Sequence, residues 1–114
     1  MRLQILGSSP NDAAARQYAS SYLIDGVVAF DAGCLGLWGD PASQSQVRHV
    51  FLTHSHSDHI ATLPLFLENV FSFNTPPVVV YGSRETLDAL RCHLFNDVIW
   101  PDFIRLSRPE RPFL

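Results

Sequence analysis

The sequence predicts an α/β fold, with helices laid against a sheet that begins as an antiparallel hairpin. Three observations lead there. "SYLI" and "VVAF" are apolar runs on either side of Asp25 and Gly26, a two-residue loop suited to a type I′ turn between antiparallel strands. "VRHVFL" and "PPVVVYGS" hold β-branched and aromatic runs of strand length. Each is followed by a segment whose apolar residues recur at helical spacing, the rhythm of helices packed on a sheet.

In chain order, "RLQIL" alternates polar and apolar residues and reads as a short strand running into the turn "GSSPND". The hairpin follows, then a loop holding Asp31, Gly33, Cys34, Gly36, Trp38 and Gly39. "VRHVFL" reads as a buried strand that delivers the chain into "THSHSDHI". "TLPLFLENVFSF" is apolar at Leu63, Leu65, Phe66, Leu67, Val70, Phe71 and Phe73, with Pro64 suited to a first turn, and predicts a heavily buried helix. "PPVVVYGS" predicts a second buried strand, and Ser83 then caps a helix carrying Leu87, Leu90 and Leu94, with Asn96 as its stop. The last segment, "RLSRPERPFL", ends on apolar residues where a new element would begin. A length of 114 residues supports one domain at most.

The balance of 8 basic and 11 acidic residues, net -3, lacks the one-sided basic field of a nucleic-acid binder, so no nucleic-acid partner is expected. No run approaches the ~20 apolar residues that a bilayer requires, and the first apolar run is too short for a secretory signal. A cytoplasmic protein without membrane contact is the expectation. Cys34 and Cys92 are too few for a disulfide framework and read as core or pocket-wall thiols.

Three of the five histidines fall between residues 54 and 59. His54 and His56 are two apart, so on an extended segment their imidazoles point to one side and can share a cation. Asp58 and His59, past a bend, can turn a carboxylate and a third imidazole toward a second cation nearby. Imidazole and carboxylate suit zinc, iron(II) or manganese, and the lack of nearby cysteine argues against a structural zinc site. His49, inside the strand, reads as solvent-facing or hydrogen-bonded. "HLFNDVIWPDF" concentrates His93, Asn96, Asp97, Trp100 and Asp102, groups that a substrate pocket could use, with His93 and Asn96 as the candidate substrate-binding residues. Trp100 reads equally well as a packing anchor.

"HSHSDH" after an apolar strand matches the His-x-His-x-Asp-His signature, and the chain resembles the metallo-β-lactamase-fold hydrolases. Its flanks, "SSYLID", "FDAG", "VFLTHSHSDHIATLPLFLENVF", "PVVVYG", "HLFNDVIWPDF" and "ERPFL", resemble the class II cyclic-nucleotide phosphodiesterases across nearly the whole chain. The resemblance implies the amino-terminal half of an αβ/βα sandwich, with residues 1–114 forming part of a single domain whose carboxyl-terminal half is absent. It also implies two divalent metal ions, zinc first and iron or manganese as alternatives. The implied reaction is hydrolysis of a small-molecule 3′,5′-cyclic nucleotide, such as cyclic AMP, to the 5′-monophosphate. His54 and His56 would serve one metal and Asp58 and His59 the other, with Asp58 as the catalytic carboxylate that orients the attacking water. Asp31 of "FDAG" resembles a family turn residue with a structural role.

In the family pattern a later His, a bridging Asp and a final His complete the two metal sites. Two protein ligands per metal remain here, so weak metal retention and an inactive isolated chain are expected. Two other readings stand beside this one. The chain could be a non-catalytic remnant or interaction module, or a hydrolase of the same fold such as a transfer-RNA-processing nuclease or a lactone hydrolase. "HLFNDVIWPDF" favours the phosphodiesterase. A half-built sheet would leave apolar edges and faces uncovered, so self-association or aggregation of the isolated chain is expected on physical grounds, a homo-oligomer being one form of it and a symptom of truncation rather than a biological assembly.

Overall fold

A computed structural model describes residues 1–7, 18–73, 76–112 and 114. Most of the predicted "GSSPND" turn lies outside the described residues. Strands β1 (Leu3–Ile5), β2 (Tyr22–Ile24), β3 (Val28–Phe30), β4 (His49–Phe51) and β5 (Val79–Tyr81) form one sheet in that spatial order. The β1–β2 and β2–β3 pairs are antiparallel, and the β3–β4 and β4–β5 pairs are parallel.

The hairpin turn is where the sequence puts it, with one residue more. Asp25 and Gly26 both take positive φ, 50° and 73°, and the Val27 N–H donates to the Ile24 carbonyl at 3.0 Å, as a type I′ turn requires. The ladder nevertheless opens with Ile24 opposite Val28, which makes the loop three residues rather than two. The carbonyl of the extra residue, Val27, accepts from the N–H of Arg48 at 2.8 Å and of His49 at 3.3 Å, where β4 begins its parallel run.

Between β3 and β4 lie a 3₁₀ turn, Leu35–Leu37, and α1, Pro41–Gln44, whose N-cap Asp40 accepts from the Ser43 N–H at 2.7 Å. Backbone hydrogen bonds from Ser43 hold the Asp40 carboxyl below its ordinary range. Neither turn is long enough to show a period, so the sequence shows only a glycine-bearing loop. Between β4 and β5 lie α2, Ser57–Ile60, and α3, Leu63–Phe71, with Pro64 in its first turn. Helix α4, Arg84–Ala89, starts at the Ser83 cap, whose hydroxyl accepts from Thr86 N–H at 3.2 Å. It runs on into a π-helical turn, Leu90–Leu94, before a loop and α5, Phe103–Leu106. None of these helices is long and apolar enough to cross a membrane.

The core lies on one face of the sheet. Leu23, Ala29 and Val50 are fully buried there together with Leu63, Phe66, Leu67 and Val70 of α3. The other face carries Tyr22, Phe30, Phe51 and Tyr81 in one register row, with ring centroids 5.3 Å apart for Phe30–Phe51 and 4.3 Å for Phe51–Tyr81. These four stay 36–38% exposed. The expectation of two fully buried strands in "VRHVFL" and "PPVVVYGS" is therefore corrected. Their side chains alternate between a covered and an open face, because helices pack on only one side of the sheet.

Candidate active site

The sequence sets the site at the tip of β4. His54 to His56 are non-helical, with His56 at φ -64°, ψ 147° as the N-cap of α2, and the short helix then carries Asp58 and His59. Backbone from the hairpin side fixes this helix. The Ser20 N–H donates to the Asp58 carbonyl at 2.8 Å and the Ala32 N–H to the His59 carbonyl at 2.7 Å. A Cβ on Gly33 would stand 2.0 Å from the Asp58 carbonyl oxygen and 2.7 Å from Ser20 N, so the approach exists only because residue 33 has no side chain.

The four predicted donors come together. Ring centroids of His54 and His56 are 4.6 Å apart, those of His54 and His59 4.0 Å, and His59 Nε2 is 3.4 Å from Asp58 Oδ2. His56 and Asp58 are exposed, and His54 and His59 partly so, which leaves the cluster open to solvent. Among the described residues no three such donors meet at a point that one cation could occupy. The imidazole and carboxylate set has the chemistry of a divalent-cation site.

Behind the donors lies a group that the sequence did not mark as functional. Asp31 has a side chain only 3% exposed and a positive φ of 58°. Its Oδ1 accepts from the Thr53 N–H at 2.8 Å, the Thr53 hydroxyl is 2.9 Å from Oδ2, and His59 Nδ1 is 2.8 Å from the same Oδ2. A carboxylate behind an imidazole is a common support for a metal-binding histidine. The structural turn role expected of Asp31 is thus joined by a contact to the site. No spacing rule links positions 31 and 59. The missing signal is the parallel β3–β4 pairing, which places Asp31 N–H 2.8 Å from the Phe51 carbonyl and so sets the two strand tips side by side.

The remaining candidates lie elsewhere. His49 is hydrogen-bonded within the sheet, Nδ1 to the Tyr81 hydroxyl at 3.1 Å. Cys34 is buried and its thiol is pushed up by desolvation, against a smaller opposing hydrogen bond from Ser21, which makes it a poor nucleophile. Cys92, expected in a core or pocket wall, is instead exposed, because it sits on the outer side of the π-helical turn. His93 is exposed on that turn. Asn96 is engaged in its own loop, its Oδ1 accepting from Val98 and Ile99 N–H at 3.0 Å each and its Nδ2 donating to the Cys92 carbonyl at 3.0 Å. Trp100 packs against the core, its buried Nε1 lacking a hydrogen-bond partner among the described residues. A cavity of about 450 Å³ lined by Val78, Val80, Leu87, Leu90, Phe95 and Ile104 touches none of the four donors.

The fold and this motif together define a class. The chain superposes on the crystal structure of unliganded yeast PDE1 with a TM-score of 0.63 at 17% identity, covering 88% of this chain and 46% of that one, a likeness of fold. The family described as "cAMP phosphodiesterases class-II" matches residues 41–109, and the chain belongs to that family. It is 38% identical over 57 residues to 3′,5′-cyclic-nucleotide phosphodiesterase 1 of Saccharomyces cerevisiae, a match covering 49% of this chain and 15% of that protein. It is also 36% identical over 66 residues to ribonuclease Z of Prochlorococcus marinus, covering 57% of this chain and 20% of that one. The chain thus spans a fifth or less of the length of these two relatives.

Proposed function

We propose that this chain supplies one half of a dinuclear metal site in a phosphodiesterase that hydrolyses 3′,5′-cyclic nucleotides, cyclic AMP among them, to 5′-monophosphates. The observation that carries the reading is the family match over residues 41–109, whose span includes all four gathered donors. Two divalent cations would activate water near neutral pH and offset charge on the phosphoryl oxygens, with zinc the first expectation and iron or manganese compatible with the donors. His54 and His56 would hold one cation from the segment after β4, and Asp58 and His59 would hold the other from α2. Asp58, its side chain 55% exposed and so open to solvent, would be the carboxylate that orients the attacking water. His93 is open to a substrate, whereas Asn96 would first have to release its loop bonds. The similarity to ribonuclease Z supports a second reading, in which the same half-site serves a nuclease.

Co-expression with the carboxyl-terminal portion of a class-II relative tests the choice. Cyclic AMP should be turned over in preference to bis-p-nitrophenyl phosphate and precursor transfer RNA, and His56→Ala should lower the rate by about 100-fold or more. A preference for the RNA would overturn the phosphodiesterase. Alone, the chain should keep well under two equivalents of zinc after dialysis, since each site lacks the usual third protein ligand.

A further inference from the structure

We infer that the open face of the sheet is a docking surface for a second copy of this chain, the two sheets stacking face to face about a two-fold axis that runs across the strands. The inference stands apart from the proposed metal site and uses none of its donors.

The strand register divides the face into two rows. Ile5, Tyr22, Phe30, Phe51 and Tyr81 lie side by side across the five strands, and Leu3, Ile24, Val28, His49 and Val79 lie side by side in the second row. None of the ten carries a carboxylate, ammonium or guanidinium group, although the chain as a whole holds 8 basic and 11 acidic residues. The one imidazole is already engaged, His49 Nδ1 standing 3.1 Å from the Tyr81 hydroxyl. Such a face can lose its water without stranding a charge, and two copies of it do not repel. Seven of the ten side chains are exposed, from 36% at Phe51 to 65% at Ile5. Those fractions leave roughly 600 Å² open on each copy, so a symmetric pair would bury about 1,200 Å², above the ~1,000 Å² that a specific interface needs and below the ~1,600 Å² of a standard one. A dimer of moderate affinity follows, with a Kd on the order of 10 µM.

Relief fixes the orientation. The first row is mostly aromatic and tall, and its stacked rings, with centroids 5.3 Å apart for Phe30–Phe51 and 4.3 Å for Phe51–Tyr81, make it a continuous ridge. The second row is mostly aliphatic and low. An axis running along the strands would set ridge on ridge and hold the sheets apart. An axis running across them reverses strand direction in the second copy, so each ridge meets the other copy's low row and the sheets close to the ~10 Å of packed sheets. Val28 on the central strand of one copy then faces Phe30 of the other. One face supplies both halves of the fit, which is what an isologous pair requires.

Sedimentation velocity of the 114-residue chain between about 1 and about 200 µM, with reductant because Cys92 is exposed, tests the surface. A monomer–dimer equilibrium is expected, not weakened by about 1 M NaCl because no ion pair holds it. Phe51→Lys should weaken it by about 30-fold or more, whereas Val98→Lys, at an apolar residue 82% exposed but outside the sheet, should leave it unchanged. Isotope-filtered NOEs on a mixed-label sample of the unsubstituted chain should join the Val28 methyls of one copy to the Phe30 ring of the other, a reading that does not depend on the lysine variant folding. A monomer throughout, or growth past the dimer without a limiting size, would overturn the inference. So would dissociation by salt, or an equal loss in Val98→Lys. A Phe51→Lys chain that dimerises like the unsubstituted one would point to edge-to-edge strand pairing and sink the face, and filtered NOEs joining Phe30 to Phe30 alone would sink the axis.

Discussion

Residues 53–59 and residues 93–102 are both rich in polar and aromatic groups, yet they spend those groups differently. Around α2 the backbone is satisfied by other elements, through Ser20, Ala32 and Asp31, so the side chains of His54, His56, Asp58 and His59 are left to gather at the surface. In the later segment the side chains of Asn96, Asp97 and Asp102 are consumed by their own loop, while His93 stays exposed. Asn96 binds three backbone groups, Asp97 accepts from Asp102 N–H at 3.0 Å and pairs with Arg105 at 2.6 Å, and Asp102 caps α5 through Arg105 N–H at 3.0 Å. Polar density alone does not make a site. What matters is which polar side chains remain after the backbone has been served.

The sharpest way to break this contrast is Gly33→Ala. The added methyl would meet backbone atoms of Asp58 and Ser20, neither of which can swing aside as a flexible side chain would. The expected cost exceeds the ~1–3 kcal/mol of ordinary overpacking, seen as a lower urea midpoint together with lost Co²⁺ binding. Wild-type stability and metal affinity in this variant would mean that α2 is not held by the hairpin exit. A smaller effect is expected of Asn96→Ala, which removes three loop hydrogen bonds and should cost about 1–2 kcal/mol with Co²⁺ affinity unchanged. A tenfold loss of affinity there would tie the two regions together.

The sequence made the donors legible because their spacing is local: four residues within six positions need no knowledge of the fold. Asp31 was not legible in the same way, since its partner is 28 positions away and only the parallel β3–β4 pairing brings them together. The hairpin was readable from Asp25 and Gly26, but the extra residue, Val27, depends on a contact with Arg48 that no turn rule contains. Strand burial misled for a related reason. Apolar residues at every position of "VVVY" and "VFL" state that both faces are apolar, not that both are covered, and Phe51 and Tyr81 stand on the open one. The π-helical turn at Leu90–Leu94 gave no signal, because the leucine spacing fits an α-helix equally well.

The smallest test asks whether charge or hydrogen bonding holds the 93–102 loop. Asp97 has a positive φ of 63°, its Oδ1 accepts from Asp102 N–H, and its Oδ2 pairs with Arg105, so most substitutions would mix three effects. Asp97→Asn separates them, because asparagine tolerates that backbone region and retains an amide oxygen for Asp102 while losing the charge. The two partners are 54% and 68% exposed, so water screens the attraction and the loss should stay below about 1 kcal/mol, shrinking further as salt is raised. Chemical denaturation at low and high salt reads the difference. A larger, salt-sensitive loss would show a loop clamped by its ion pair, and Asp97 would then be committed to structure through its charge as firmly as Asn96 is through its amide.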